Sequence, residues 1–225
     1  RVGWPVGRTS ARVERVLRQD IRFCTAPDGV RVAYATVGSG PPLVKTANWL
    51  NHLEFDWESP IWRHVFHALS SEHTFIRYDS RGNGLSDWNV DDLSLDTLVA
   101  DLKAVVDAAG VDRFPLFAMS QGCAVAVAFA VRYPERVSKL ILYGGYVRGW
   151  RVRPDADFAK QSEALITLTR TGWGRDNPAY RQVFTSLFIP DATSEQAGWF
   201  NELQRITTSP DNAAQILSAF GDINI

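Results

Sequence analysis

The feature that most constrains the fold is a regular alternation of strand-like and helix-like segments in the middle of the chain. Three apolar runs, HTFIRYD, FPLFAM and VSKLILYGG, have the length and composition of buried strands. Two segments with helix signals, SLDTLVADLKAVVDAAG and QGCAVAVAFAVRYP, separate them. Connections of this kind are right-handed crossovers within a parallel sheet that helices cover on both faces. The predicted fold class is therefore α/β, a three-layer α/β/α arrangement around a mostly parallel sheet.

Further strands and one helix are predicted upstream of this alternation. A turn signal between IRFCTA and VRVAYATVG predicts a β-hairpin. LVKTA predicts a third strand, and IWRHVFHALSS predicts a helix with Pro60 at an early helical position. The sheet therefore begins with antiparallel strands and continues with parallel ones.

The pattern changes after residue 153, where four capped, amphipathic segments follow one another without a strand. We interpret residues 20–153 as the core and 154–222 as a helical lid. Residues 223–225 resemble the start of the next core strand. Residues 1–19 are predicted to form a basic helical arm, or a linker from an upstream domain, and the first residue is not Met.

Composition excludes several classes of partner. The chain carries 24 Lys and Arg against 25 Asp and Glu, which gives no overall electrostatic reason to expect nucleic acid or an anionic membrane. The longest apolar run near the middle of the chain is far shorter than the roughly 20 residues of a membrane span. Cys24 and Cys123 have neither the number nor the spacing of a disulfide scaffold, so a reducing, cytoplasmic location is expected. His64 and His67 lack a third ligand, and no metal site is predicted.

Ser120 is the candidate catalytic residue. It lies between Ala118 and Gly122, directly after an apolar strand and before a helix dense in small residues. A sharp strand-to-helix turn exposes a serine hydroxyl and points the first N–H groups of the helix at the site. The pattern therefore favours a nucleophile over a hydroxyl packed in a structural turn, which is the alternative.

Several motifs together resemble the α/β-hydrolase superfamily of esterases and lipases. The resemblance is carried by VGSGPPLV, RYDSRGNGLSD, FAMSQG and RYPERVSKLILYGG, and it extends over nearly the whole chain after residue 20. The segment NWLNHLEFDW is more narrowly similar to hydrolase-like domains of bacteria that are attached to winged-helix regulators or adenylate cyclases. The resemblance implies an α/β-hydrolase fold with a lid after the sixth strand.

The resemblance also implies roles for particular residues. Ser120 would be the nucleophile, and the backbone N–H groups of Gln121 and Trp49 would bind the oxyanion, although Asn48–Trp49 stands where many relatives have His–Gly. The remaining assignments are supports of the loops around the site, Asp79, Arg81 and Gly122, and candidate pocket residues, Asn48, His52, Tyr146, Trp173 and Phe188.

The catalytic acid and histidine are not evident in this sequence. In the family the order along the chain is serine, acid, histidine, whereas all four histidines here precede Ser120. Of these, only His52 is expected near the pocket. The resemblance therefore implies an acid and a base beyond Ile225.

The function predicted is that of a serine hydrolase that cleaves carboxylic esters with small or medium apolar acyl groups, without metal or organic cofactor. Epoxide hydrolases and dehalogenases of this fold have Asp at the turn, so Ser120 argues against both. Thioesterase, lactonase, carbon–carbon hydrolase and cofactor-free peroxidase activities remain open. The alternative is a non-catalytic ligand-sensing domain of a regulator or cyclase. If these 225 residues are the whole chain, an open sheet edge would favour a homodimer.

Overall fold

The computed structural model describes residues 17–225. The predicted helical arm over residues 1–19 therefore lies mainly outside the described residues. Residues 17–19 within it are irregular.

Within residues 17–225, six strands form a single sheet with the order β1-β2-β4-β3-β5-β6. The strands are β1 (Asp20–Thr25), β2 (Arg31–Val37), β3 (Pro42–Lys45), β4 (Thr74–Tyr78), β5 (Phe114–Met119) and β6 (Val137–Tyr143). The first two strands form the predicted hairpin, and β2 also pairs antiparallel with β4. The other neighbouring pairs are parallel. The predicted α/β class with a mostly parallel sheet is confirmed.

Eight helices accompany the sheet in the described part of the chain. They are α1 (Leu53–Trp57), α2 (Arg63–Glu72), α3 (Leu95–Ala108), α4 (Gly122–Arg132), α5 (Ala156–Gly172), α6 (Pro178–Phe188), α7 (Ser194–Thr207) and α8 (Pro210–Gly221). Four of them, α5 to α8, occupy the region predicted to be helical after residue 153. Within residues 17–225, no helix has the length and apolar character that crossing a bilayer would need.

The predicted start of the second helix was wrong. Pro60 is not in α2, which begins at Arg63. The Ser59 Oγ accepts the backbone N–H groups of Ile61 and Trp62, at 3.1 and 3.2 Å, and this holds the chain in a turn before the helix. The short helix α1, immediately upstream, was not predicted.

Helices cover both faces of the sheet because neighbouring strand residues point to opposite sides. Val44 and Ile76 belong to the main core, which includes the apolar faces of α3 and α4. Leu43 and Phe75 pack on the other face in a cluster with Phe66 of α2. This is the predicted three-layer arrangement. The carboxyl ends of all the parallel strands lie at the same end of the sheet.

The β6 strand is the edge of the described sheet. Its large apolar side chains from Leu140 onward are exposed, from 39% at Leu140 to 67% at Tyr143. Residues 223–225 do not join this edge as a further strand of the sheet. Asn224 instead forms an isolated antiparallel bridge with Arg148, and the Ile225 N–H donates to the Val147 carbonyl at 3.0 Å. The next core strand, the domain boundaries and a homodimer stay predictions.

Candidate active site

Ser120 occupies the turn between β5 and α4, which we name the elbow, and its backbone conformation is rare for a non-glycine residue. Its φ is 50°, and Leu50, at 57°, is the other non-glycine residue with positive φ in the described chain. The Ser120 N–H donates to the Tyr143 carbonyl at 2.9 Å, which fixes the turn to the end of β6. Backbone strain of this kind persists only where the surrounding structure enforces it, and it clusters at functional sites.

Gly122 allows a second loop to approach this turn closely. A Cβ at this position would lie 2.5 Å from both the Ala47 carbonyl oxygen and the Thr46 Oγ1. No side chain fits in that space, so glycine is required by the approach. We name residues 46–50, which follow β3, the oxyanion loop, after the role that the family resemblance implies for Trp49.

Two backbone N–H groups at the junction of this loop and the elbow lack protein acceptors. Among residues 17–225, neither the Trp49 N–H nor the Gln121 N–H meets an acceptor. Gln121 is the N-cap residue of α4, where the helix dipole adds a partial positive charge. The arrangement can bind a developing negative charge near Ser120.

A pocket of about 270 Å³ opens above the elbow. None of the residues that line it carries a formal charge, and most are aromatic or aliphatic. The lining residues are Asn48, Trp49, Leu50, Trp62, Met119, Ser120, Gln121, Tyr143, Gly144, Phe188, Ile189, Phe200 and Leu203. The two strained residues, Leu50 and Ser120, thus share one pocket.

The structure brings two of the five predicted pocket residues to this pocket. Asn48 and Phe188 line it, whereas Trp173 does not. Trp173 is buried behind Trp49, with the ring centroids 5.5 Å apart. Tyr146 also lies outside the lining, half-buried against the main core.

His52 is not at the pocket either, and its ring has a structural partner. Its Nδ1 accepts the Phe55 N–H at 3.3 Å and caps α1. Burial lowers the pKa of His52, which favours the neutral ring. Because Nδ1 accepts this bond, the neutral ring carries its proton on Nε2 and has no free lone pair there for a base. His64, His67 and His73 are also absent from the lining.

Sequence reasoning missed several lining residues. Tyr143 is the last residue of β6 and Gly144 follows it, so both lie at the carboxyl ends of the parallel strands, as Ser120 does. The rule that ligands bind at these carboxyl ends could have identified them. Leu50 and Trp62 carry no such signal. Trp62 was predicted to lie inside a helix and is instead the residue before α2.

Asp79, predicted as a support, lies beneath the loops and does not line the pocket. Its carboxylate accepts hydrogen bonds from Asn51 Nδ2 at 2.7 Å, the Leu85 N–H at 2.8 Å and the Leu53 N–H at 3.2 Å. Burial, the largest effect, raises the pKa of Asp79 to about 7. The Asp79 carboxylate therefore connects the loop after β4 to the start of α1.

Arg81 connects the same loop to two other elements. Its side chain is 1% exposed and lies 2.7 Å from the buried carboxylate of Asp101 in α3 and 2.6 Å from Asp28 in the β1–β2 turn. Helix α7 contacts this loop as well, since the Gly84 N–H donates to the Thr207 carbonyl at 2.7 Å. In the part of the chain that the structure describes, no group of three or more His, Cys, Asp or Glu could hold a metal ion.

Comparison with known proteins identifies the class that this fold and site define. A family model described as the alpha/beta hydrolase fold matches residues 52–192. The match covers more than half of the chain, and the chain therefore belongs to the alpha/beta hydrolase family.

Individual relatives have different activities in their names. The chain is 30% identical over 167 residues to pyrrolizixenacetamide deacetylase of Xenorhabdus hominickii, a match that covers 74% of this chain and 58% of that protein. It is 35% identical over 156 residues to epoxide hydrolase 4 of Mus musculus, with 62% and 42% covered. An esterase from Exiguobacterium antarcticum has the same fold, with a TM-score of 0.75 at 23% identity over 90% of this chain and 74% of that one. The chain spans about half the length of the curated relatives it matches.

Proposed function

We propose that this protein is a serine hydrolase that cleaves carboxylic esters with small or medium apolar acyl groups. The observation that carries the proposal is the left-handed backbone of Ser120 between β5 and α4, which aims its side chain from a strained elbow. The named relatives are mostly hydrolases, which supports hydrolysis in general. Serine at the elbow favours acyl transfer over epoxide opening, for which this fold uses aspartate.

The proposed reaction begins with attack of the Ser120 Oγ on the ester carbonyl carbon. The carbonyl oxygen becomes an oxyanion that the N–H groups of Trp49 and Gln121 stabilise. The alcohol leaves with a proton, and water then hydrolyses the acyl-enzyme to release the acid. The lining residues include no histidine or carboxylate, and we propose that the general base and its acid lie in a part of the full protein outside residues 17–225.

The pocket supports an uncharged, apolar acyl group. Trp49, Trp62, Phe188 and Phe200 provide aromatic walls, and about 270 Å³ is near the lower end of ligand pockets. A charged acyl chain would lose its hydration without gaining an ion partner from the lining residues, which is unfavourable. Short to medium acyl chains are therefore the proposed substrates.

The test uses the full-length protein with p-nitrophenyl esters of increasing acyl length and a fluorophosphonate probe. We expect turnover and labelling that Ser120→Ala abolishes. Ser71→Ala is the matched control because Ser71 is an exposed helical serine away from the pocket. Ester turnover that persists in Ser120→Ala would refute the proposal.

A second candidate function is ligand sensing without turnover, and the absence of an ionisable base from the lining residues of the described chain favours it. Trp49 and Trp62 line the pocket, so binding of an apolar ester or acid should change the intrinsic tryptophan fluorescence. Saturable fluorescence change by the full-length protein, without turnover or labelling of Ser120, would support sensing over catalysis.

A further inference from the structure

Lys45 is a buried cation that has no ion partner among residues 17–225. It is the last residue of β3 and only 6% exposed. Its Nζ donates to the Thr46 carbonyl at 3.0 Å and to the Asn48 Oδ1 at 2.6 Å. Among the described residues, no carboxylate lies within ion-pair distance of it. Burying an ammonium is costly unless it is paired and hydrogen-bonded. Both hydrogen bonds of this ammonium end on the oxyanion loop.

The contact continues from Asn48 into the backbone of the loop. The Asn48 Nδ2 donates to the Trp49 carbonyl at 3.2 Å, and Asn48 itself lines the pocket. The following residue, Leu50, has a φ of 57°, a conformation that must be held by its surroundings. Lys45 and Asn48 therefore restrain the peptides on both sides of the Trp49 N–H.

We propose that Lys45 is a positioning residue that holds the oxyanion loop, with the Trp49 N–H directed at the pocket, through its bonds to Thr46 and Asn48. This rests on the proposed function, because the Trp49 N–H matters for chemistry only if an oxyanion forms beside Ser120. Lys45 does not line the pocket and acts through the loop alone.

The charge of Lys45 links the loop to pH. Burial, and then the nearby Arg77 of β4, lower the pKa of Lys45 to about 8, while Asp56 of α1 and Asp79 after β4 act in the opposite direction. Cys123 of α4 is the remaining titratable group that faces it. A neutral amine donates weaker hydrogen bonds than an ammonium. The loop is therefore expected to loosen as pH rises above about 8.

Lys45→Met tests the role because methionine fills a similar volume without donating a hydrogen bond. We expect kcat for a p-nitrophenyl ester to fall about 10-fold, less than the roughly 100-fold or more for loss of an oxyanion donor, with KM within about 2-fold. The thermal midpoint should be unchanged or higher, since apolar replacement of a buried charge is often stabilising. In the wild type kcat should decline above pH 8, and this decline should be absent in the variant. Lys160→Met, at an exposed lysine, is the control.

Hydrogen exchange of the oxyanion loop, measured in the wild type and in Lys45→Met, provides a readout that does not depend on catalysis. In the wild type, exchange of the amides of residues 46–50 should rise between pH 7 and pH 9 beyond the intrinsic rate, relative to amides in α3. In Lys45→Met it should be high at both pH values. Wild-type protein without ester turnover would overturn the proposed function, but it leaves this measurement intact. Exchange of the loop that is insensitive to both pH and the substitution would overturn the role of Lys45.

Discussion

At the scale of single residues, Gly122 shows how one missing Cβ determines the site. Gly122→Ala would place a methyl group 2.5 Å from the Ala47 carbonyl and the Thr46 Oγ1, so the oxyanion loop must move away from the elbow. We expect a loss of about 1–3 kcal/mol in the free energy of unfolding and a fall in kcat of about 100-fold, as for a lost oxyanion donor. Urea unfolding and ester kinetics measure the two effects.

The control is Gly198→Ala, at an exposed position of α7 where no atom lies within 4 Å of the added Cβ. The free energy of unfolding of this variant should rise by up to about 1 kcal/mol. Unchanged kcat in Gly122→Ala would contradict the close-approach argument.

At the scale of elements, Arg81 joins the loop after β4 to α3 and to the β1–β2 turn. Arg81→Met would leave the carboxylate of Asp101, which is fully buried, without its partner. Breaking a buried pair in this way costs about 3–5 kcal/mol, so the urea midpoint should fall strongly. Arg132→Met removes a surface pair with Asp96 and should cost at most about 1 kcal/mol. Equal effects of the two substitutions would show that the three elements are held together in another way.

The elements also show which features a sequence can predict. The turn at Ser120 was predictable because its signals, the small residues Ala118 and Gly122 between a strand and a helix, are local, whereas the role of Trp49 is implied only by the family resemblance and stays a prediction. Helices α5 to α8 were predictable as helices, but which of their side chains reach the pocket was predicted only in part. Phe188 lines the pocket and Trp173 lies behind Trp49, a difference that depends on how each helix is rotated over a loop more than 100 residues away in sequence. The start of α2 was missed because the Ser59 side chain caps a turn that periodicity does not record.

At the scale of the whole molecule, buried carboxyl groups should make stability depend on pH in an unusual direction. Burial raises the pKa of Asp79 to about 7 and that of Asp56 to about 6. Between the unfolded pKa of about 4 and these values, the folded protein binds more protons than the unfolded chain. The contribution of each group to the free energy of unfolding is therefore complete below about pH 4. It declines as the pH rises to about 6 for Asp56 and about 7 for Asp79, by up to about 1.4 kcal/mol per pH unit for each group.

Urea unfolding at intervals between pH 4.5 and 7.5 measures this slope directly. Asp79→Asn should be less stable than the wild type. Its one amide oxygen can replace the Oδ2 that accepts the Leu53 and Leu85 N–H groups, but its NH2 group would then face the Asn51 Nδ2, which donates to Oδ1 in the wild type. The free energy of unfolding of this variant should nevertheless depend less on pH, and it should not decline between pH 6 and 7. Asp91→Asn, at an exposed loop position, should keep the full slope. A slope that persists unchanged in Asp79→Asn would mean that Asp79 stays ionised in the folded protein, with its three hydrogen bonds outweighing the cost of burial.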